Sequence, residues 1–267
     1  MRRERVAAII LRQFYLIRGS MSRVLPLFVW VVIDVVLWGF ITRYLGTVSM
    51  PGVNFVASLL GAVLLWDFLT RVMQGVTMAF FEDVWSRNFL NLFSTPIRIS
   101  EYLTGLVLSS IATSTIGLAT MALVASLVFH LTFATYGWML VPYLGVLFLF
   151  GIALGVFGAT IVLRLGPAAE WFVWPIPAVA APFAGVFYPV ATLPRWMQGI
   201  SYALPPSHVF EGLRAIVAGR APSPVGLAWG AVLAAGYLLL ACWGFARVYR
   251  YGVRTGLIAR YSAESVT

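Results

Sequence analysis

Residues 182–214, PFAGVFYPVATLPRWMQGISYALPPSHVFEGLR, are as apolar as a membrane span but carry prolines at positions 182, 189, 194, 205 and 206. Proline lacks an amide hydrogen and its ring clashes with the preceding helical turn, so a helix kinks or ends there. Broken backbone at membrane depth is tolerated only where protein or a water-filled cavity surrounds it. The stretch therefore predicts a helix that enters the membrane, breaks and re-enters near one face.

The composition of the whole chain is typical of an integral membrane protein. Of its 267 residues, 61% are hydrophobic and 10% are charged, whereas soluble domains carry about 25% charged residues. The net charge is +9 and every basic residue is arginine. Because the arginines cluster beside apolar runs, they indicate topology signals and lipid headgroup contacts, and nucleic-acid binding is not expected.

Few residues in the sequence are suited to covalent or metal chemistry. The single cysteine, Cys242, excludes a disulfide within the chain. His130 and His208 are far apart and have no ligand-spaced partners, so no metal site is predicted. A phosphate-binding P-loop needs a lysine, which this chain lacks. We therefore expect a protein that is not an enzyme and that obtains any energy for its work from a partner.

Six stretches are long and apolar enough to cross a hydrocarbon core, which takes about 20 residues. They are residues 24–42, 55–81, 102–131, 138–163, 171–191 and 224–246. We therefore expect an all-α membrane protein in which residues 1–267 form a single transmembrane domain with six transmembrane helices. Thirteen arginines flank these spans on one side and four on the other. Since arginine-rich loops stay in the cytoplasm, both termini, including a tail at 247–267, are predicted to be cytoplasmic.

Residues 1–22 precede the first span and show a different pattern. Val6, Ile9, Phe14 and Ile17 recur at helical spacing, while arginines occupy other positions. This periodicity predicts an amphipathic helix in the cytoplasmic interface. The alternative is a basic segment that merely flanks the span.

The loop at 82–101, EDVWSRNFLNLFSTPIRISE, joins the second and third spans on the same predicted side. Its apolar residues Trp85, Phe89 and Leu92 follow one helical face, and Pro96 ends that pattern. Ser100 and Glu101 are expected to open the next helix. Such a helix either lies on the membrane, docks a soluble partner or has no partner at all.

Three charged residues lie within the predicted spans. Asp34 is near the middle of the first span, and Asp67 and Arg71 are in the second. An ionisable residue at such depth indicates a functional site by default. The alternative is a buried carboxylate that fixes helix packing. Asp67 and Arg71 are four residues apart, hence on one helical face, and are expected to pair.

Four short motifs, in this order, carry a family resemblance: GVFYP at 185–189, LPRW at 193–196, PP at 205–206 and EGLR at 211–214. They resemble the signature of the ABC-2 type permeases, the membrane subunits of a class of ATP-driven exporters. The loop at 82–101 resembles the coupling helix of that family, with the Thr95-Pro96 step in place, so the resemblance covers essentially the whole chain. Asn88 and Phe89 stand where many relatives carry Gly-Thr.

The resemblance implies a permease that moves an amphipathic or lipid-like substrate out of the cytoplasm or inner leaflet of a bacterial inner membrane. It also implies a homodimer or paired permease, bound to a separate ABC ATPase that holds the ATP and magnesium, so that this chain binds no cofactor. The residues implied in ATPase coupling are Glu82, Asp83, Trp85, Arg87, Phe89, Thr95, Pro96 and Arg98. A re-entrant outer hairpin at 192–220, between spans five and six, would form an outer gate with Gly185, Pro189, Pro194, Pro205, Glu211 and Arg214. Glu211 and Arg214, three residues apart, are expected to pair and stabilise it.

Two other functions remain compatible with the residues. A proton-coupled secondary transporter would use Asp34 or Asp67 as its proton site and would be active without an ATPase. A membrane-embedded scaffold or enzyme is the second alternative, and an enzyme would need a reactive constellation that the sequence does not provide.

Overall fold

A computed structural model of the chain describes residues 2–48, 56–86, 91–92 and 95–256. Every regular element in these residues is helical. The helices are α1 (Arg3–Arg18), α2 (Met21–Val48), α3 (Gly61–Trp85), α4 (Ile99–Phe129), α5 (Leu140–Leu165), α6 (Glu170–Val173), α7 (Ile176–Ala184), α8 (Arg195–Ala203), α9 (Pro205–Val217) and α10 (Pro224–Thr255). The expectation of an all-α protein is confirmed for the described part of the chain.

Five of the described helices are long and apolar enough to cross a membrane. They are α2, α3, α4, α5 and α10, with the α3 segment starting at Ser58 and the α5 segment at Phe133. Apolar side chains cover much of the outward surface of α2, α4 and α10, as expected where lipid is the solvent. The chain is thus a membrane protein with several apolar helices.

The predicted fifth span, 171–191, is not a single helix. Helix α6 ends at Val173 and α7 runs from Ile176 to Ala184, with Pro175 and Pro177 at the break between them. Each proline removes one helical hydrogen bond and crowds the preceding turn. The chain then turns at Gly185, which has a left-handed φ of 68°. The six-span layout therefore stays a prediction.

Several helix ends differ from the sequence prediction. Helix α3 continues to Trp85, so Glu82, Asp83 and Trp85 lie on its last turn and not in a loop. Helix α4 begins at Ile99, and Glu101, not Ser100, binds the amide of the N-cap residue Arg98. Helix α10 continues to Thr255, so the predicted tail at 247–267 begins as an extension of the last span.

Helix α5 is the centre of the bundle and packs most extensively on α10 and α3. The contact with α3 depends on small residues of α5, because a Cβ placed on Gly155 would lie 2.8 Å from the carbonyl oxygen of Met73. Helix α4 packs on the other side of α3, and α2 packs on α4. Helix α3 is consequently buried along most of its length.

Helix α1 crosses the beginning of α4, and it divides the apolar residues that the sequence placed on one face. Its inward face includes Val6 and Ile9, both buried. A Cβ on Gly105 would lie 2.6 Å from the Cβ of Ile9, so the two helices approach closely there. Its outward face carries Leu11 and Phe14, both exposed. The apolar outward face supports the predicted interfacial position, which remains a prediction.

Helices α8 and α9 form a hairpin bent at Leu204, whose backbone is extended because Pro205 follows it. Helix α9 packs on α10 and α5. A Cβ on Gly212 would lie 2.0 Å from the hydroxyl of Tyr143, in the first turn of α5. The hairpin therefore occupies the end of the bundle where α5 begins, and the last turn of α3 lies at the other end.

Candidate functional site

Three groups of charged residues and their hydrogen-bond partners are candidates for the functional site. One lies where α1, α3 and α4 meet and consists of Arg12, Asp83, Glu101 and Tyr102, together with Arg2 and Arg5. We call it the junction. The second, the triad, comprises Asp34, Asp67 and Arg71. The third is the pair formed by Glu211 and Arg214 in the hairpin.

Asp83 is the centre of the junction and has 0% of its side chain exposed. The hydroxyl of Tyr102 donates to its Oδ2 at 2.7 Å, and the guanidinium of Arg12 donates to its Oδ1. Burial by itself lowers the pKa of Arg12, but the hydrogen bond to Asp83 and the charge of that carboxylate outweigh it, so the pKa is raised. The ion pair between Arg12 and Asp83 holds α1 against the end of α3.

Glu101 fixes the beginnings of two helices at once. Its Oε2 accepts from the amide of Arg98 at 3.0 Å, which caps α4. Its Oε1 accepts from the amide of Arg2 at 2.8 Å, just before α1 begins. The guanidinium of Arg5 adds an ion pair at 3.3 Å. With Asp83, this buried carboxylate makes α1, α3 and α4 one structural unit.

The residues predicted to couple to an ATPase divide into two sets. Asp83 is inside the protein, and Glu82 is paired with Arg23 of α2. Exposed residues of the set are Trp85, Thr95, Pro96 and Arg98. Arg87 and Phe89 lie outside the described residues. The sequence placed Asp83 on the docking surface because it cannot reveal that α1 covers this residue.

The triad connects α2 with α3. The Nε of Arg71 donates to Asp67 Oδ2 at 2.7 Å, so the predicted pair is present. An Nη atom of Arg71 also lies 3.6 Å from Asp34 Oδ2 on α2. One guanidinium thus faces two carboxylates. Asp34 is the most exposed of the three, at 39%, and has the longer contact.

All three residues of the triad line a cavity of about 820 Å³. Its walls come from α1, α2, α3 and α4, with Trp174 beyond α6 closing one side. Glu82 and Trp85 lie along the same cavity, so it extends from the last turn of α3 to the triad. From Trp85 to Asp67 this is about 27 Å along the helix axis at 1.5 Å per residue.

The α4 wall of this cavity is polar, which the sequence analysis missed. It carries Ser109, Ser110, Thr113 and Ser114. Ser110 donates to the carbonyl of Val72 at 2.9 Å. Among the described residues, the hydroxyls of Ser109 and Ser114 and the amide nitrogen of Gln13 have no hydrogen-bond partner. Hydroxyls at positions i, i+1, i+4 and i+5 of a span were the signal that would have revealed this polar face.

The pair in the hairpin links α9 to the turn after α7. Arg214 Nη1 donates to Glu211 Oε1 at 2.9 Å, as predicted. Its other nitrogen donates to the carbonyls of Gly185 and Val186. Glu211 accepts from the amide of Val190 at 2.8 Å. Both charges are therefore used to hold the turn.

The prolines of the predicted gate have defined backbone roles. Pro189 and Pro194 are extended residues that precede a 3-10 turn and helix α8 respectively. Pro205 is in the first turn of α9, where its missing amide hydrogen has no cost. These residues lie together at one end of the bundle, and the exposed coupling residues lie at the other.

A comparison with known protein families gives one match, which covers most of the chain. The family described as ABC-2 type transporter matches residues 4–218, from the start of α1 to just beyond the end of α9. The match covers far more than half of the chain. No curated protein matches the chain.

Proposed function

The chain belongs to the ABC-2 type transporter family and is a membrane component of such a transporter, and we propose that it is the permease subunit of an exporter driven by a separate ABC ATPase. The chain is a transport component, and we propose that it has no enzymatic activity of its own. In our proposal ATP and magnesium bind to the partner, and this chain supplies the pathway.

One observation carries the proposal: a single helix, α3, has the exposed Trp85 on its last turn and the triad residues Asp67 and Arg71 in its first half. Through the junction, α3 is also tied to α1 and α4. A displacement of the α3 end by a docked ATPase would therefore move the cavity wall as a unit. This arrangement supports a docking surface made of Trp85, Thr95, Pro96 and Arg98.

The opposite end of the bundle supports a gate. The hairpin of α8 and α9 is short, proline-bounded and attached to the bundle through α9. Glu211 and Arg214 bind the backbone of the turn at 185–190 and so hold the broken segment in place. We infer that this segment closes the outer end of the pathway and that both chain termini lie in the cytoplasm.

The substrate class that fits the cavity is amphipathic, since the walls combine charges and hydroxyls with exposed tryptophans. We propose that it leaves the cytoplasm or inner leaflet of a bacterial inner membrane. A second permease copy, identical or paired, would complete the pathway.

Co-purification tests the proposal. The tagged chain should retain an ATPase when both are expressed together, and Trp85→Ala combined with Pro96→Ala should reduce the retained ATPase activity. Trp229→Ala on α10 is the matched control, because Trp229 is equally exposed but lies near the other end of the bundle. Transport that proceeds without any ATPase would contradict the proposal and favour a proton-coupled transporter.

A further inference from the structure

The two carboxylates of the triad share one arginine unequally. Arg71 gives its short hydrogen bond to Asp67, at 2.7 Å. Asp34 has only the 3.6 Å contact with the same guanidinium and turns much of its surface to the cavity. One guanidinium is thus shared by two carboxylates, and Asp34 has the weaker share. Asp34 therefore remains available to pair with a cation that enters the cavity.

An aromatic face lies beside this carboxylate. Trp30 is four residues before Asp34 on α2, hence on the same helical face, and it lines the same cavity. Its side chain is exposed and the described structure places no cation over its ring. Tryptophan is the side chain that attracts ammonium-type cations most strongly. A carboxylate with a tryptophan one turn away is therefore suited to a positively charged organic group.

A buried hydroxyl without a partner provides an independent sign of a ligand. Ser114 is 2% exposed, lines the cavity and has no hydrogen-bond partner for its Oγ among the described residues. It lies one turn before Gly117, where a Cβ would be 3.4 Å from Cδ of Arg71, so it is level with the triad. Buried polar groups are nearly always hydrogen-bonded. The hydroxyl of Ser114 is thus a buried group of the cavity wall that still lacks a hydrogen bond within the described part of the chain.

We propose that this cavity binds the positively charged head of an amphipathic organic cation. Asp34 is its counter-ion, Trp30 supplies a ring face and Ser114 accepts a hydrogen bond from the head or from a water bound to it. The apolar body of the ligand lies along Trp174 and Met78, which line the same space. A volume of about 820 Å³ is in the range of sites for drug-sized molecules. The inference rests on the proposed transport function and names the substrate class.

Binding to the isolated chain tests the inference without the ATPase. The chain is placed in nanodiscs of zwitterionic lipid and titrated calorimetrically, with the signal of empty nanodiscs subtracted. The probes are tetraphenylphosphonium and tetraphenylborate, which have the same shape and opposite charge. We expect saturable binding of the cation and none of the anion.

Substitutions of the cavity residues test which side chains bind the cation. Asp34→Asn should weaken binding of tetraphenylphosphonium by roughly tenfold or more, as expected when a charged partner is lost, and Asp34→Glu should retain most of it. Trp30→Ala should weaken binding, and Trp30→Phe should weaken it less. Glu4→Gln is the matched control, since it removes one carboxylate from an exposed position of α1 and should change nothing.

Three results would overturn the inference. They are equal binding of both probes, unchanged binding in Asp34→Asn, and preferential binding of octyl glucoside that depends on Ser114, which would assign the cavity to a neutral polyhydroxyl head. Because these titrations use the chain alone, their failure leaves the ATPase partnership standing. Loss of the ATPase partnership would likewise leave a measured cation site intact.

Discussion

The junction and the triad both join an aspartate of α3 to an arginine, but the two arrangements differ in their surroundings. Asp83 has no exposed surface, and each of its oxygens is bonded, one to Arg12 and the other to Tyr102. In the triad, one arginine faces two carboxylates beside a large cavity. A buried carboxylate with both oxygens bonded fixes how helices pack, whereas a carboxylate beside a cavity that has only one long contact remains available to a ligand.

The largest effect on stability is expected from Arg12→Ala. It leaves the Asp83 carboxylate buried with only the hydroxyl of Tyr102, and removing one member of a buried pair costs about 3–5 kcal/mol. A large fall in the midpoint of thermal unfolding of the purified protein would show this. Arg3→Ala, at an exposed position of the same helix, is the control. Equal unfolding midpoints for the two variants would mean that Arg12 contributes no more to stability than an arginine on the surface.

Tyr102→Phe comes next, because it removes the 2.7 Å bond to Asp83 and leaves Arg12 in place. A hydrogen bond to a charged group contributes about 1.5–3 kcal/mol. Thermal unfolding should show an intermediate loss, and Tyr15→Phe at an exposed position of α1 should show none. A loss as large as that of Arg12→Ala would mean that the hydroxyl, and not the ion pair, holds the junction together.

Glu211→Gln should lower the stability of the protein less than Tyr102→Phe does. The amide oxygen still accepts from the amide of Val190, so mainly the ion pair with Arg214 is lost, at about 1 kcal/mol for a partly exposed pair. Exchanging the charges of Glu211 and Arg214 should not restore function, because the carbonyls of Gly185 and Val186 require a donor at position 214. Restored transport in the exchanged variant would show that only the pairing of the charges matters.

The smallest effect on stability is expected from Asp34→Asn. Its contact with Arg71 is long and its side chain is exposed to the cavity, so unfolding should shift by less than about 1 kcal/mol. The same variant is expected to lose cation binding. A stability loss comparable to that of Arg12→Ala would show that the triad, like the junction, fixes how helices pack. The contrast between the junction and the triad would then no longer hold.

The sequence predicted the structure correctly where a rule about residues close together in the chain was enough to decide it. The spacing of Asp67 and Arg71 predicted their pair, and the prolines after position 182 predicted the broken hairpin. The prolines at 175 and 177 follow the same rule, but the span at 171–191 was predicted from the length of its apolar run. The result was one predicted span where two short helices occur.

What the sequence did not provide depends on contacts between distant elements. Asp83 appears in the chain as an ordinary charge of a loop, and only the packing of α1 across α4 buries it against Arg12. The cavity likewise needs four helices to come together, and its hydroxyls were hidden in a span without charges. No local spacing rule reports such long-range burial.

Site-specific photocrosslinking tests the central claim most directly, since the account rests on docking of an ATPase at the end of α3. A photoreactive amino acid is placed at Trp85 or at Trp229, which are 49% and 54% exposed at opposite ends of the bundle. The account predicts that irradiated cells yield a crosslinked ATPase subunit from position 85 and none from position 229. A crosslink of equal yield at both positions, or none at position 85, would contradict it.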